Sequence, residues 1–66
     1  MQVRLNGELR DIPDGLSVAG LLGHLGVKAQ RVAVEVNETV VTKDRYETRK
    51  IAPVDSVEIV AFVGGG

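Results

Sequence analysis

The 66 residues suffice for one domain, and a chain this short buries only about 60% of the surface its unfolded form exposes, so there is little interior for an enclosed active site and a complete enzyme is not expected. With no cysteine, neither a disulfide framework nor a Cys-based metal site can reinforce the core, nothing implies an oxidising compartment, and stability must come from packing Val, Leu and Ile. Eight basic against nine acidic residues give a formal charge of -1 with the signs interspersed, which lacks the basic stripe that a nucleic-acid partner requires.

Met1, Val3 and Leu5 alternate with Gln2, Arg4 and Asn6, the two-residue period of a strand with one buried face. No charged and apolar leader precedes this strand, and no apolar stretch approaches the ~20 residues of a membrane span, so the expectation is a soluble, cytoplasmic protein without a membrane partner. Asn6-Gly7 suits a type I′ hairpin turn, after which Leu9 to Ile12 return as a second strand; the two apolar residues are out of phase, which predicts a bulge or an early strand end. Pro13-Asp14-Gly15 breaks the strand. Ser17 then offers a hydroxyl to the free N–H groups of a helix whose apolar positions, Val18, Leu21, Leu22 and Leu25, follow helical spacing, and Gly26 closes it. Gly20 and Gly23 each cost that helix up to ~1 kcal/mol relative to Ala, so burial of the leucine face has to hold it.

Val32, Val34 and Val36 alternate with Arg31, Ala33 and Glu35 in a third strand that ends at Asn37-Glu38-Thr39, before a short Val40-Val41 segment. Thr42 is placed to cap a single turn through Lys43 to Tyr46. Pro53 to Asp55 makes another turn, and Val57 to Val63 reads as the last strand, with Glu58 its one polar residue. A hairpin, a helix and further strands in this order predict an α+β domain with the helix laid across one face of a mixed sheet.

Few residues offer chemistry. His24 has no Cys, Asp or Glu one helical turn away to complete a metal set and reads as a helix-surface residue near the favourable end of the dipole. The capping role accounts for Ser17, and the Gly20, Gly23, Gly26 series falls inside a helix, not between a strand and a helix as a phosphate loop requires. Lys43, Arg45, Arg49 and Lys50, interleaved with Asp44 and Glu47, have the pattern of a solvated face, with a docking role as the alternative. In the last strand, if Val57, Ile59 and Ala61 face the helix, then Glu58, Val60 and Phe62 share the other face and place an apolar patch in solvent, where a partner is expected. The competing reading has a bulge or sheet twist return Phe62 to the core. The tail Gly64-Gly65-Gly66 buries nothing and loses the most conformational entropy on ordering. Without side chains it can thread a narrow channel in another protein for about 10 Å and present its terminal carboxylate there; taken alone, it is equally compatible with a frayed end or a cloning remnant.

Over its whole length the chain resembles the thiamine-biosynthesis sulfur-carrier (ThiS) family of ubiquitin-like β-grasp proteins. The similarity rests on Met1-Gln2-Val3 with Asn6-Gly7, on Val18-x-x-Leu21-Leu22, on Val32-Ala33-Val34-Glu35-Val36-Asn37, on Asp55-x-Val57-Glu58-Ile59-Val60 and on the closing di-glycine, with Tyr46 where an aromatic residue is common. Val54 departs from the Gly usual before the Asp of the last turn, and Gly64 is additional to the family's glycine pair. The resemblance implies a β-grasp domain over 1–63, a mixed four- to five-stranded sheet with one main helix on one face, and a flexible tail over 64–66. It also implies a carrier with no catalytic residue, no metal and no bound cofactor of its own. An E1-like adenylating enzyme using ATP and magnesium activates the Gly66 carboxylate, a persulfide donor converts it to a thiocarboxylate, and thiazole synthase receives the sulfur. Gly65 is then the slim neighbour of the reacting group, Gly64 adds reach, and Phe62, Val60 and Glu58 form the partner-binding face. The same fold and tail also suit the small sulfur-carrier subunit of molybdopterin synthesis, a ubiquitin-type protein modifier, or a β-grasp module that binds partners without covalent chemistry.

Overall fold

The computed structural model describes residues 1–62. Two strands, β1 (Gln2–Leu5) and β2 (Glu8–Asp11), form a hairpin, and α1 (Val18–Leu25) follows. Next come a 3-10 turn (Ala29–Arg31), β3 (Val32–Val36), β4 (Thr39–Val41), a second 3-10 turn (Lys43–Arg45) and β5 (Ser56–Ala61). The five strands make one mixed sheet in the order β2-β1-β5-β3-β4, with β1 parallel to β5 and the other neighbours antiparallel. This is the β-grasp arrangement that the resemblance implies.

Both hairpins turn on consecutive residues with positive φ, Asn6-Gly7 (50° and 85°) and Asn37-Glu38 (52° and 68°), the geometry whose twist matches that of the flanking strands. The helix is framed as its end residues dictate: Ser17 Oγ accepts the Gly20 N–H at 3.1 Å, and Gly26, in the left-handed region, precedes a Val27 N–H that donates to the Leu22 carbonyl at 2.9 Å. Val18, Leu21 and Leu22 are fully buried against Val3, Leu5, Val34, Val36 and Val57 of the sheet. Each such side chain contributes about 1.5 to 3 kcal/mol by leaving water, which outweighs the two glycines within the helix.

The early strand end expected between Leu9 and Ile12 is found, and three other local expectations need correction. The second strand stops at Asp11; Ile12 leaves it, donates its N–H to the Met1 carbonyl at 2.8 Å and enters the core, while Leu9 stays exposed opposite Arg4. That resolves the phase conflict between Leu9 and Ile12 without a bulge. Arg31 belongs to a 3-10 turn that the valine alternation did not reveal, so β3 starts one residue later. The Thr42 side chain makes no capping bond to the turn that follows it. In β5, Val57 is buried and Ile59 half-buried, but Ala61 is exposed, because burial falls off as the strand runs past the cover of the helix. The expected continuation through Val63, the domain end at 63 and the glycine tail lie outside the described residues.

Candidate functional site

The strand that leads toward the chain end is the central one, and both of its neighbours fix it. β3 pairs with it along five residues, from Val36 opposite Val57 to Val32 opposite Ala61, and the Phe62 N–H continues that edge by donating to the Arg31 carbonyl at 2.9 Å. β1 pairs with it at Arg4 and Leu5, and the Asn6 N–H adds a bond to the Val57 carbonyl at 2.9 Å. There β1 turns away, and the Asn6 side chain takes over as a surrogate strand residue: its Oδ1 accepts the Ile59 N–H at 2.7 Å and its Nδ2 donates to the Ile59 carbonyl at 3.3 Å.

A second asparagine secures the other end of β5. Asn37 donates its N–H to the Ser56 carbonyl at 2.7 Å, its Oδ1 accepts the Ser56 N–H at 2.9 Å, and its Nδ2 donates to Asp55 Oδ1 at 3.0 Å. The Asp55 carboxylate, buried at this turn, also accepts the Ala52 N–H through Oδ2 at 2.8 Å, with the Arg49 guanidinium 3.9 Å away. The Pro53-Val54 turn keeps its shape although Val54 sits at a φ of 60°, where a β-branched residue is an outlier.

With β5 so held, its outward side chains stand on the sheet face that the helix leaves open. Glu58 is exposed, and Val60 and Phe62 are 59% and 56% exposed, the face assigned to all three from the strand period. No bulge returns Phe62 to the core. Ala33 lies opposite Val60, whereas the exposed Val40 on β4 lies opposite Glu35, in the row of the two carboxylates and not in that of Val60. Glu58 lies directly opposite Glu35, and a like-charged cross-strand pair does not stabilise a sheet. Lys43 brings its Nζ within 5.6 Å of the Phe62 ring centroid, a cation–π contact that orients the ring. Beside it, the Thr42 hydroxyl bonds the Asp44 carboxyl and holds it below the usual carboxylate range.

The other candidates take structural places. Ser17 caps the helix, and His24 lies exposed in its last turn. Among the described residues no three His, Cys, Asp or Glu side chains converge on a point where a metal could bind, and no helix is long and apolar enough to cross a membrane. Sequence reasoning missed the double bond of Asn6 to Ile59, the Asn37–Ser56 clamp and the place of Lys43 over Phe62. The two asparagines were legible only as turn residues, since their side-chain partners lie far along the chain. Gly64, Gly65 and Gly66 lie outside the described residues.

A model of the ThiS family matches residues 3–66. The chain belongs to the ThiS family. It is 34% identical over 65 residues to the sulfur carrier protein ThiS of Bacillus subtilis, covering 97% of this chain and 98% of that protein. The crystal structure of the thiamine biosynthesis protein ThiS from Geobacter metallireducens superimposes with a TM-score of 0.85 at 34% identity, covering the whole of both chains. Identity rises to 44% over 66 residues with the thiazole synthase of Paramagnetospirillum magneticum, all of this chain against 20% of that protein. The chain thus spans about a fifth of the length of that relative, which carries a ThiS-like segment within a larger polypeptide.

Proposed function

We propose that this chain is a cytoplasmic sulfur carrier for thiamine biosynthesis, reacting at the carboxylate of Gly66. The observation that carries the proposal is the extent of the ThiS match, which runs to residue 66 and includes the glycines that follow the clamped strand β5. A terminal carboxylate, with a pKa of about 3.3 to 3.7, is ionised at neutral pH and a poor electrophile, so it needs activation. In the proposed sequence, an oxygen of Gly66 attacks the α-phosphorus of ATP on an E1-like adenylating enzyme and pyrophosphate leaves; magnesium held by that enzyme would offset the phosphate charge. The terminal sulfur of a persulfide donor then displaces AMP from the acyl carbon, and thiol reduction of the sulfur–sulfur bond leaves the thiocarboxylate. Thiazole synthase accepts that sulfur, a partnership supported by the ThiS-like segment within a thiazole synthase.

This chain contributes a handle, a reach and a reacting group. Glu58, Val60 and Phe62 dock on the adenylating enzyme, and Gly64, Gly65 and Gly66 thread its channel because no side chain widens them. Intact-protein mass spectrometry after incubation with the cognate E1-like adenylating enzyme, ATP, magnesium and a persulfide donor should show one oxygen replaced by sulfur, and deletion of Gly66 should abolish the change. An unchanged mass, or sulfur incorporation that survives the deletion, overturns the proposal. Deletion of the gene should create a thiamine requirement; loss of molybdoenzyme activity in its place would assign the carrier to the other pathway.

A further inference from the structure

The edge of the sheet away from the hairpin carries a second feature. β4 ends the strand order, and along its outer side runs an open groove of about 620 Å³. One wall is the edge strand itself, Thr39 to Thr42; the other is formed by Arg45 and by Thr48 to Lys50. The second wall belongs to the helix layer, since Arg49 and Tyr46 offer their carbonyls to the Val18 and Ala19 N–H groups at 2.9 and 2.7 Å. One backbone bond joins the two walls, from the Arg45 N–H to the Thr42 carbonyl at 2.9 Å; among the described residues none crosses from Thr39–Val41, so one side of β4 presents unpaired main-chain groups.

The lining contains three cations, Arg45, Arg49 and Lys50, and no carboxylate. Two of the cations are engaged beside the groove: Lys50 Nζ donates to the Gly15 carbonyl at 3.3 Å, and Arg49 donates to the Lys50 carbonyl and lies 3.9 Å from Asp55. Arg45 makes no side-chain hydrogen bond or ion pair among the described residues. Val40, on the opposite side of the same edge, is 64% exposed.

We propose that the β4 edge is a docking groove for an extended acidic segment of a partner polypeptide, which adds to the sheet as a sixth strand. Side chains of an added strand point alternately to the two faces, so this site asks for acidic residues toward Arg45, Arg49 and Lys50 alternating with apolar ones beside Val40. Main-chain bonds to β4 hold the segment and the cations choose its charge. With only Thr39–Val41 in the edge strand, the contact is short and therefore transient. Phe62 is not among the residues that line the groove, and the inference stands whether or not the chain carries sulfur.

The test is titration of the isotope-labelled chain, followed by amide NMR, with a synthetic peptide alternating Glu and Val. Saturable shifts should be confined to residues 39–42 and 45–50, and binding should weaken as salt is raised, because solvent-exposed charge pairs are screened. The double substitution Arg45→Glu and Lys50→Glu should weaken the peptide by about tenfold while the rest of the spectrum stays unchanged. A peptide alternating Lys and Val should bind at least as much more weakly. A Glu and Val peptide N-methylated along its backbone should not bind. Shifts centred on Val60 and Phe62, equal binding of the Lys peptide, undiminished binding of the N-methylated peptide, or no saturable shift would each overturn the proposal.

Discussion

Asn6 and Ile59 are joined by two hydrogen bonds in which the asparagine side chain plays the part of a strand backbone, accepting at 2.7 Å and donating at 3.3 Å. The pairing continues the hold on β5 by one step past the end of β1. Asn6 also occupies positive φ, which asparagine tolerates better than most residues. Asn6→Ala should therefore lose about 2 kcal/mol in chemical denaturation, part from the two exposed bonds and part from left-handed strain. Asn6→Gly loses the same two bonds without the left-handed strain and should lose about half as much. Equal losses in the two variants would show that the bonds, and not the backbone, carry the whole effect.

Phe62 offers a sharper separation of binding from folding. A buried phenylalanine costs ~3 to 5 kcal/mol when cut to Ala, whereas this ring is more than half exposed and keeps one cation–π contact worth about 0.5 to 1 kcal/mol. Phe62→Ala should lower stability by no more than about 1 kcal/mol, yet weaken association with the adenylating enzyme by about tenfold, as loss of an aromatic anchor does. Undiminished association in a binding titration would remove Phe62 from the docking face.

Val54 is a place where the chain can be improved. It is 85% exposed and held at a φ of 60°, so its side chain contributes little packing while its backbone is strained by about 1 to 2 kcal/mol. Val54→Gly relieves that strain and gives back part of it through greater freedom of the unfolded chain, for a net gain of about 0.5 to 1 kcal/mol. A urea midpoint that fails to rise would mean that the turn, pinned by Asp55 and the Ala52 N–H, carries less strain than its dihedral implies.

The two glycines inside α1 should respond differently. A methyl group at Gly23 would meet nothing within 4 Å, so Gly23→Ala should stabilise the domain by about 0.5 to 1 kcal/mol through helix propensity. At Gly20 the added carbon would lie 3.2 Å from Leu16 Cδ2, and the adjustment of that side chain should cancel most of the gain. Thermal melts of the two variants side by side decide the matter; equal shifts would show that Leu16 yields freely.

The strand periods, the serine cap and the glycine stop were legible because each depends on residues close in sequence. The alternation of Val32, Val34 and Val36 and the spacing of Val18, Leu21 and Leu22 set which faces would be buried, and hence that Val60 and Phe62 would stand in solvent. What escaped notice depended on distance along the chain. Nothing near Asn6 reveals that its amide meets Ile59, and nothing near Lys43 reveals that it reaches Phe62. The groove along β4 was hidden for the same reason: Arg45, Arg49 and Lys50 read as an ordinary solvated face until the sheet places an unpaired edge beside them.

The central position of β5 has a mechanical consequence. Tension applied beyond Phe62 enters the domain through a strand that is parallel to β1 and flanked on its other side by β3. If the domain is anchored near the start of β1, the two strands are pulled toward opposite ends, and the bonds between them bear the load together in shear rather than parting one at a time. Resistance to such a pull is set by the rate of forced unfolding, not by the equilibrium stability that denaturation measures. A partner could thus draw on the end of the chain firmly while the folded part stays whole.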